Sequence, residues 1–73
     1  MDPAERGAAD GTQWARRNSN RGLLSPLTVA RAAGNSFENL VADKTLATRD
    51  AVVYSQAFIN AALAELGDSC TWG

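Results

Sequence analysis

The stretch of sequence that decides the fold is TRDAVVYSQAFINAALAEL, residues 48–66. Apolar residues recur in it at the three- and four-residue intervals that place side chains on one face of a helix. Asp50 lies in the first turn, where the helix dipole favours a carboxylate, and Gly67-Asp68 follows as a stop. The spacing therefore predicts a helix over residues 48–66. Its predicted buried positions are Ala51, Val52, Ser55, Phe58, Ile59, Ala62, Leu63 and Leu66.

This predicted helix is apolar on more than one face, because Val53, Tyr54, Ala57 and Ala61 lie outside the predicted buried stripe. A helix that is apolar nearly all round is buried on several sides. In so small a domain we expect the second buried side to contact another copy. The sequence therefore predicts a homo-oligomer, either a homodimer or a subunit of a larger assembly.

A second helix is predicted upstream, over residues 26–43, where Ser25-Pro26 supplies a cap followed by proline at the first helical position. The pair Gly34-Asn35 leaves two alternatives open: one bent helix, or a split in which Gly34 ends one helix and Asn35 caps the next. The predicted buried positions are Leu27, Ala30, Ala33, Phe37, Leu40 and Val41.

A third helix is predicted near the start of the chain, over residues 3–17, with Asp2 as its cap and Pro3 at its first position. Two glycines lie on its apolar face, and each costs a helix about 1 kcal/mol relative to alanine. We expect the glycines to allow close backbone approach to a neighbouring element. The predicted buried face is Ala4, Gly7, Ala8, Gly11, Trp14 and Ala15.

These elements predict an all-α fold: one small three-helix domain over residues 1–67, followed by a short tail over residues 68–73. A core in a 73-residue chain rarely supplies more than about 3–5 kcal/mol without a staple. The single cysteine, Cys70, cannot form an internal disulfide. Self-association or partner binding is therefore the expected source of additional stability.

Charge is distributed unevenly along the chain. Residues 1–31 carry five arginines and three carboxylates, whereas residues 32–73 carry two basic and five acidic residues. A basic first half and an acidic second half suggest two parts of an interaction surface. The lone cysteine predicts a cytoplasmic location, and neither a signal peptide nor a membrane-spanning segment is expected.

The composition argues against catalysis, because the chain has no histidine to act as a general base. Serine, threonine and cysteine would lack their usual activator, and one cysteine with scattered carboxylates makes no zinc site. The segment Gly7–Gly11 follows no predicted strand and lacks the Lys-Ser/Thr pair of a phosphate-binding loop. We therefore expect neither an enzyme nor a metal or cofactor.

Residues 27–43 carry a pattern in which a small residue, Ala30, is followed by a glycine, Gly34, and a branched aliphatic, Leu40. This pattern resembles the helix-turn-helix of bacterial repressors. The resemblance implies a small DNA-binding regulator, and it departs from the motif at Asn35 and Asp43, where aliphatic residues are usual. Its candidate nucleic-acid contacts are Arg16, Arg17, Arg21, Ser36, Asn39 and Lys44.

The predicted reading helix carries two acids before its first base, whereas DNA binding depends on neutralising phosphates. The favoured function is therefore a non-catalytic module that binds a larger protein or complex as a regulator, inhibitor or accessory subunit. The size and the arginine- and alanine-rich composition suggest a phage-encoded protein that targets host machinery. The candidate partner contacts are Trp14, Arg16, Arg17, Arg21, Tyr54 and Trp72.

Overall fold

Three helices build the protein in this computed structural model: α1 (Pro3–Asn18), α2 (Pro26–Ala42) and α3 (Ala51–Leu66). The 3-10 turn Thr48–Asp50 leads directly into α3. The structure describes residues 2–18 and 26–66, and no strand occurs among them. The predicted small all-α, three-helix fold is therefore confirmed. None of the helices in these ranges is long and apolar enough to cross a bilayer.

The helix ends follow the capping residues that the sequence supplies. The Asp2 carboxylate accepts a hydrogen bond from the Ala4 N–H at 3.0 Å, as expected of an N-cap. At the other end of α1, the Asn18 side-chain amide donates to the Trp14 carbonyl at 2.7 Å. The Asp50 carboxylate accepts from the Ala47 N–H at 3.0 Å. Each contact satisfies a backbone or side-chain group at a helix end.

Helix α2 continues without a break through Gly34, which resolves the two alternatives in favour of a single helix. Gly34 is exposed, and no heavy atom lies within 4 Å of the position that a Cβ would occupy there. The glycine therefore makes neither a turn nor a close contact.

The contacts along the helices define an up-down-up bundle. Gly7 and Gly11 of α1 face Tyr54 and Phe58 of α3, so these two helices run parallel. Helix α2 runs antiparallel to α1, because residues with higher numbers on α1 lie beside residues with lower numbers on α2. The network around Asp10 includes Ser36, and the cavity beside Asn18 includes Thr28.

The two glycines of α1 bring its backbone against the backbone of α3. A Cβ at Gly7 would lie 2.4 Å from the Tyr54 carbonyl oxygen, and a Cβ at Gly11 would lie 2.3 Å from the Phe58 carbonyl oxygen. Both distances are far inside van der Waals contact, so only glycine fits at either position. The close approach expected from the sequence is therefore present, and α3 is the neighbouring element.

The core side of α3 differs from the predicted stripe. Tyr54 is fully buried, whereas Val52 is 66% exposed. The reason is that α1 covers the Tyr54 side of α3 while α2 covers an adjacent side, so the buried face is rotated toward Tyr54. Ile59 and Leu63 remain half-buried at the edge of this face. The buried residues of α3 are Tyr54, Phe58, Ala62 and Leu66.

Two positions of α2 were also wrongly assigned to the core. Leu27 is 62% exposed because it lies on the side of α2 away from the buried stripe, and Ala30 is exposed at the edge of that stripe. The ring of Phe37 reaches inward from a similar edge position, but a methyl group is too short to do so. Val29 takes the place predicted for Leu27. The core residues of α2 and the following turn are Val29, Ala33, Phe37, Leu40 and Leu46.

Helix α2 ends in a Schellman motif. The Thr45 N–H donates to the Leu40 carbonyl at 2.9 Å and the Lys44 N–H donates to the Val41 carbonyl at 3.0 Å. Lys44 adopts the left-handed conformation that this motif requires, with φ 62°. Leu46 follows and is buried, so the turn directs the chain back across the core.

We predict opposite effects of alanine at buried and exposed glycines. Gly7→Ala and Gly11→Ala should each lower the free energy of unfolding by about 2 kcal/mol or more, because the new methyl group must displace α3. Gly34→Ala, the matched control in open space, should raise it by about 0.5–1 kcal/mol. Urea unfolding followed by circular dichroism measures all three. Equal effects at the three sites would contradict the close α1–α3 packing.

We also predict that Lys44→Gly raises the free energy of unfolding by about 1 kcal/mol, since glycine adopts a positive φ without the Cβ penalty. Lys44→Ala keeps the Cβ and removes the charge, so it should show no such gain. The same urea titration separates the two variants. A gain in both would assign the effect to charge instead of backbone conformation.

Candidate functional site

A groove runs between α1 and α2, because α1 packs closely along α3 and touches α2 at few positions. It consists of two adjoining cavities of about 250 Å³ and about 490 Å³. Both are open to solvent, and together they are called the α1–α2 groove below. The residues that line both cavities are Trp14, Arg17, Ala32, Ser36 and Asn39.

The floor of the groove is apolar. Trp14 is half-buried and packs against Phe58 of α3, with ring centroids 6.1 Å apart and planes tilted by 48°. Tilted aromatic pairs at this separation are favourable. Ala32 and Leu40 of α2 complete the floor. The core therefore reaches the surface here and presents part of an indole ring to solvent.

A hydrogen-bonded network at one end of the groove joins all three helices. The Tyr54 hydroxyl donates to the Asp10 carboxylate at 2.6 Å. Because that proton is committed, the Ser36 hydroxyl must be the donor to the Tyr54 oxygen, at 2.5 Å. Arg6 donates from Nε to the same Asp10 oxygen at 3.1 Å. This set, Arg6–Asp10–Tyr54–Ser36, is called the tyrosine network below.

The pKa of the Tyr54 hydroxyl is raised from 10.0 to about 12, first because the hydroxyl is buried and then because it donates to the Asp10 carboxylate. Ionisation would place a phenolate beside a carboxylate in a poorly solvated position. The Tyr54 hydroxyl therefore stays protonated at neutral pH and holds α1, α2 and α3 together.

Two arginines on opposite walls of the groove have no carboxylate partner among residues 2–18 and 26–66. Arg17 of α1 and Arg31 of α2 are both exposed, and both line the larger cavity. Arg6, by contrast, pairs with Asp10, and Arg16 pairs with Glu65 on the α3 side of the bundle at 3.0 Å. The groove thus carries three arginines and one carboxylate in a chain of net charge −1.

Side-chain amides line the same walls. An amide offers both a hydrogen-bond donor and an acceptor, which is what the backbone of a bound peptide requires. The amide residues of the groove are Gln13, Asn18, Asn35 and Asn39.

The residues that the sequence suggests as partner contacts lie on different parts of the structure. Trp14 and Arg17 lie together in the groove. Arg16 lies on a different side, where it pairs with Glu65. Tyr54 is a correction: it is fully buried and bonded within the tyrosine network, so it offers no surface to a partner. Arg21 and Trp72 lie outside the described residues.

The candidates of the DNA-binding interpretation do not form one surface either. Ser36 and Asn39 line the groove, but the Ser36 hydroxyl is bonded to Tyr54. Lys44 lies beyond the end of α2, in the turn before Leu46. The turn that a helix-turn-helix requires near Gly34 is absent, because α2 is one continuous helix.

Several groove residues were missed at the level of sequence, namely Arg6, Asp10, Arg31 and Asn35. One pattern would have indicated part of the set. Polar residues recur along α2 at helical spacing, which marks a single polar face opposite its core stripe. This polar face comprises Thr28, Arg31, Asn35 and Asn39.

The fold and groove define the class of protein as a small three-helix domain with a cationic, amide-lined groove. No protein-family model matches the sequence, and no curated protein or solved structure shows detectable similarity to it. No group of three or more potential metal ligands occurs within the described ranges.

We predict that the tyrosine network makes stability depend on pH above 10. The folded state keeps the Tyr54 proton up to about pH 12, whereas the unfolded chain loses it near 10.0. Stability from this group is therefore complete below pH 10 and declines as pH rises from 10 to about 12. Tyr54 is the single tyrosine of the chain, so phenolate absorbance at 295 nm reports it alone.

The matched variants are Tyr54→Phe and Ser36→Ala. Tyr54→Phe should lower the free energy of unfolding by about 1–3 kcal/mol at pH 8, because Asp10 and Ser36 lose a buried hydrogen-bond partner. In this variant the free energy of unfolding should no longer show the decrease above pH 10 that is attributed to Tyr54. Ser36→Ala should lower the free energy of unfolding by a smaller amount and should keep the decrease above pH 10. A folded-state phenol that titrates near pH 10 would contradict the network.

Proposed function

We propose that the protein is a non-catalytic protein-binding module that acts through the α1–α2 groove. It occupies a surface of a larger protein or complex as a regulator, inhibitor or accessory subunit. The observation that supports this proposal is the half-exposed Trp14 in the same cavity as Arg17 and Arg31, two arginines without a carboxylate partner among the described residues. Tryptophan and arginine are the residues most enriched at binding hot spots.

The arrangement suits binding more than chemistry. The indole face offers apolar area that loses little side-chain entropy on binding, since Trp14 already packs on Phe58. The arginines on the two walls orient a partner by charge. The Ser36 hydroxyl lines the groove and is hydrogen-bonded to the hydroxyl of the buried Tyr54. The carboxylate that accepts from Tyr54 is Asp10, which is also held by Arg6, and the chain has no histidine to serve as a general base.

Self-association and a phage origin, both expected from the sequence, remain proposals. A homo-oligomer is one way to cover Val52 and Val53, which are 66% and 46% exposed on α3. A phage origin rests on size and composition alone. DNA binding remains a prediction that no geometric observation favours. The groove offers only two arginines without a carboxylate partner among the described residues, whereas DNA binding is strengthened by neutralising many phosphates.

The proposal is tested by capture from nuclease-treated lysate of the source cells with three immobilised proteins: wild type, Ala32→Phe and Gln56→Phe. Ala32 lines both cavities, so phenylalanine there fills the groove. Gln56 is exposed on α3 and is the matched control. We expect one stoichiometric protein that wild type and Gln56→Phe retain and that Ala32→Phe loses.

Two outcomes would overturn the proposal. Equal retention by Ala32→Phe, shown to be folded by circular dichroism, would place binding on another surface. Recovery of nucleic acid alone, when nuclease is omitted and salt is low, would favour the DNA-binding interpretation.

A further inference from the structure

We infer that the partner segment of the α1–α2 groove is an extended acidic peptide with one large apolar side chain. This inference rests on the proposed function and names the chemistry of the partner. It is carried by the juxtaposition of three features on the groove: an apolar floor, two opposed arginines, and a row of side-chain amides.

The charge of the groove argues for an acidic segment. The larger cavity is lined by Arg17 and Arg31 and by no carboxylate. The two arginines belong to different walls of this cavity, Arg17 near the end of α1 and Arg31 in the first half of α2. A carboxylate between such walls forms charge-assisted hydrogen bonds, and arginine binds it through two parallel N–H groups. The net negative charge of the rest of the chain would repel the same segment elsewhere.

The amides argue for a peptide in extended form. Asn35 and Asn39 are one helical turn apart on α2, and Asn18 lies across from them on α1. An extended chain has unpaired N–H and C=O groups on both of its edges, whereas a helix has satisfied them internally. Amide side chains on two walls match an extended peptide, because each amide group has both hydrogen-bond donors and an acceptor.

The floor argues for one apolar anchor. Trp14, Ala32, Leu40 and Phe58 meet in the cavity of about 250 Å³, next to the polar walls. A single leucine or phenylalanine side chain fits this space, and its burial against Trp14 expels water from the floor. Single-stranded nucleic acid fits less well, because one indole ring and two arginines can contact only a few bases and phosphates.

The experiment begins with a display library of random twelve-residue peptides selected on the wild-type protein. We expect enriched sequences with two or more Asp or Glu residues flanking one Leu, Phe or Trp. A fluorescein-labelled consensus peptide is then titrated by anisotropy. Its affinity should fall when salt is raised, because part of the binding is between exposed charges.

Charge reversal identifies the groove as the site. Arg17→Glu with Arg31→Glu should weaken the consensus peptide by about tenfold or more. Arg49→Glu is the matched control, since Arg49 is exposed in the 3-10 turn and lines neither cavity. It should change affinity by no more than about twofold. A peptide with its Asp and Glu residues replaced by Lys should bind the doubly reversed protein and not the wild type.

The outcomes separate this inference from the proposed function. Enriched peptides that are neutral or basic and are lost with Ala32→Phe would overturn the acidic partner and leave the binding groove intact. Peptides that bind Ala32→Phe as well as wild type would overturn both. A twelve-nucleotide oligo-dT probe that binds with the same arginine dependence, when no peptide does, would also overturn both and assign the groove to nucleic acid.

Discussion

The structure depends on the backbone contact between α1 and α3 at Gly7 and Gly11. The carbonyls of Tyr54 and Phe58 lie where a Cβ would stand on either glycine, so the distance between the two helices is fixed by the absence of side chains. Each glycine lowers intrinsic helix stability by about 1 kcal/mol. The loss is offset because close approach allows Ala15 on α1 and Tyr54, Phe58 and Ala62 on α3 to be buried.

The same contact decides where the groove lies. Helix α1 packs along α3 and meets α2 at few positions, so the space between α1 and α2 stays open. Trp14 is too large for the close α1–α3 contact at Gly7 and Gly11. It is half-buried at the edge of that contact, where its ring packs against Phe58. The groove therefore has an apolar floor continuous with the core, and its walls are the outward-facing polar residues of α1 and α2.

The tyrosine network connects this packing to the groove. Tyr54 is fully buried on the core side of α3, yet its hydroxyl meets Asp10 of α1 and Ser36 of α2 at the groove wall. Through Asp10, the network also holds the Arg6 side chain at one end of the groove. Arg17 and Arg31 have no comparable restraint among the described residues. Of the three groove arginines, Arg6 is thus part of the network that joins the helices, whereas Arg17 and Arg31 are exposed.

The sequence by itself determined the helices, because each carries its own local information. Asp2 and Pro3 mark the start of α1, Pro26 is the first residue of α2, Asp50 precedes α3, and apolar residues recur at helical spacing within each. It also indicated close packing through Gly7 and Gly11. Tertiary structure alone decided that Tyr54 is core and Val52 is not, that α2 continues through Gly34, and that Arg17 faces Arg31 across a groove. The physical reason is that helical periodicity gives the relative angles of side chains around one helix. Periodicity does not determine which face of a helix is buried by which neighbouring helix. That is decided only when the three helices pack together.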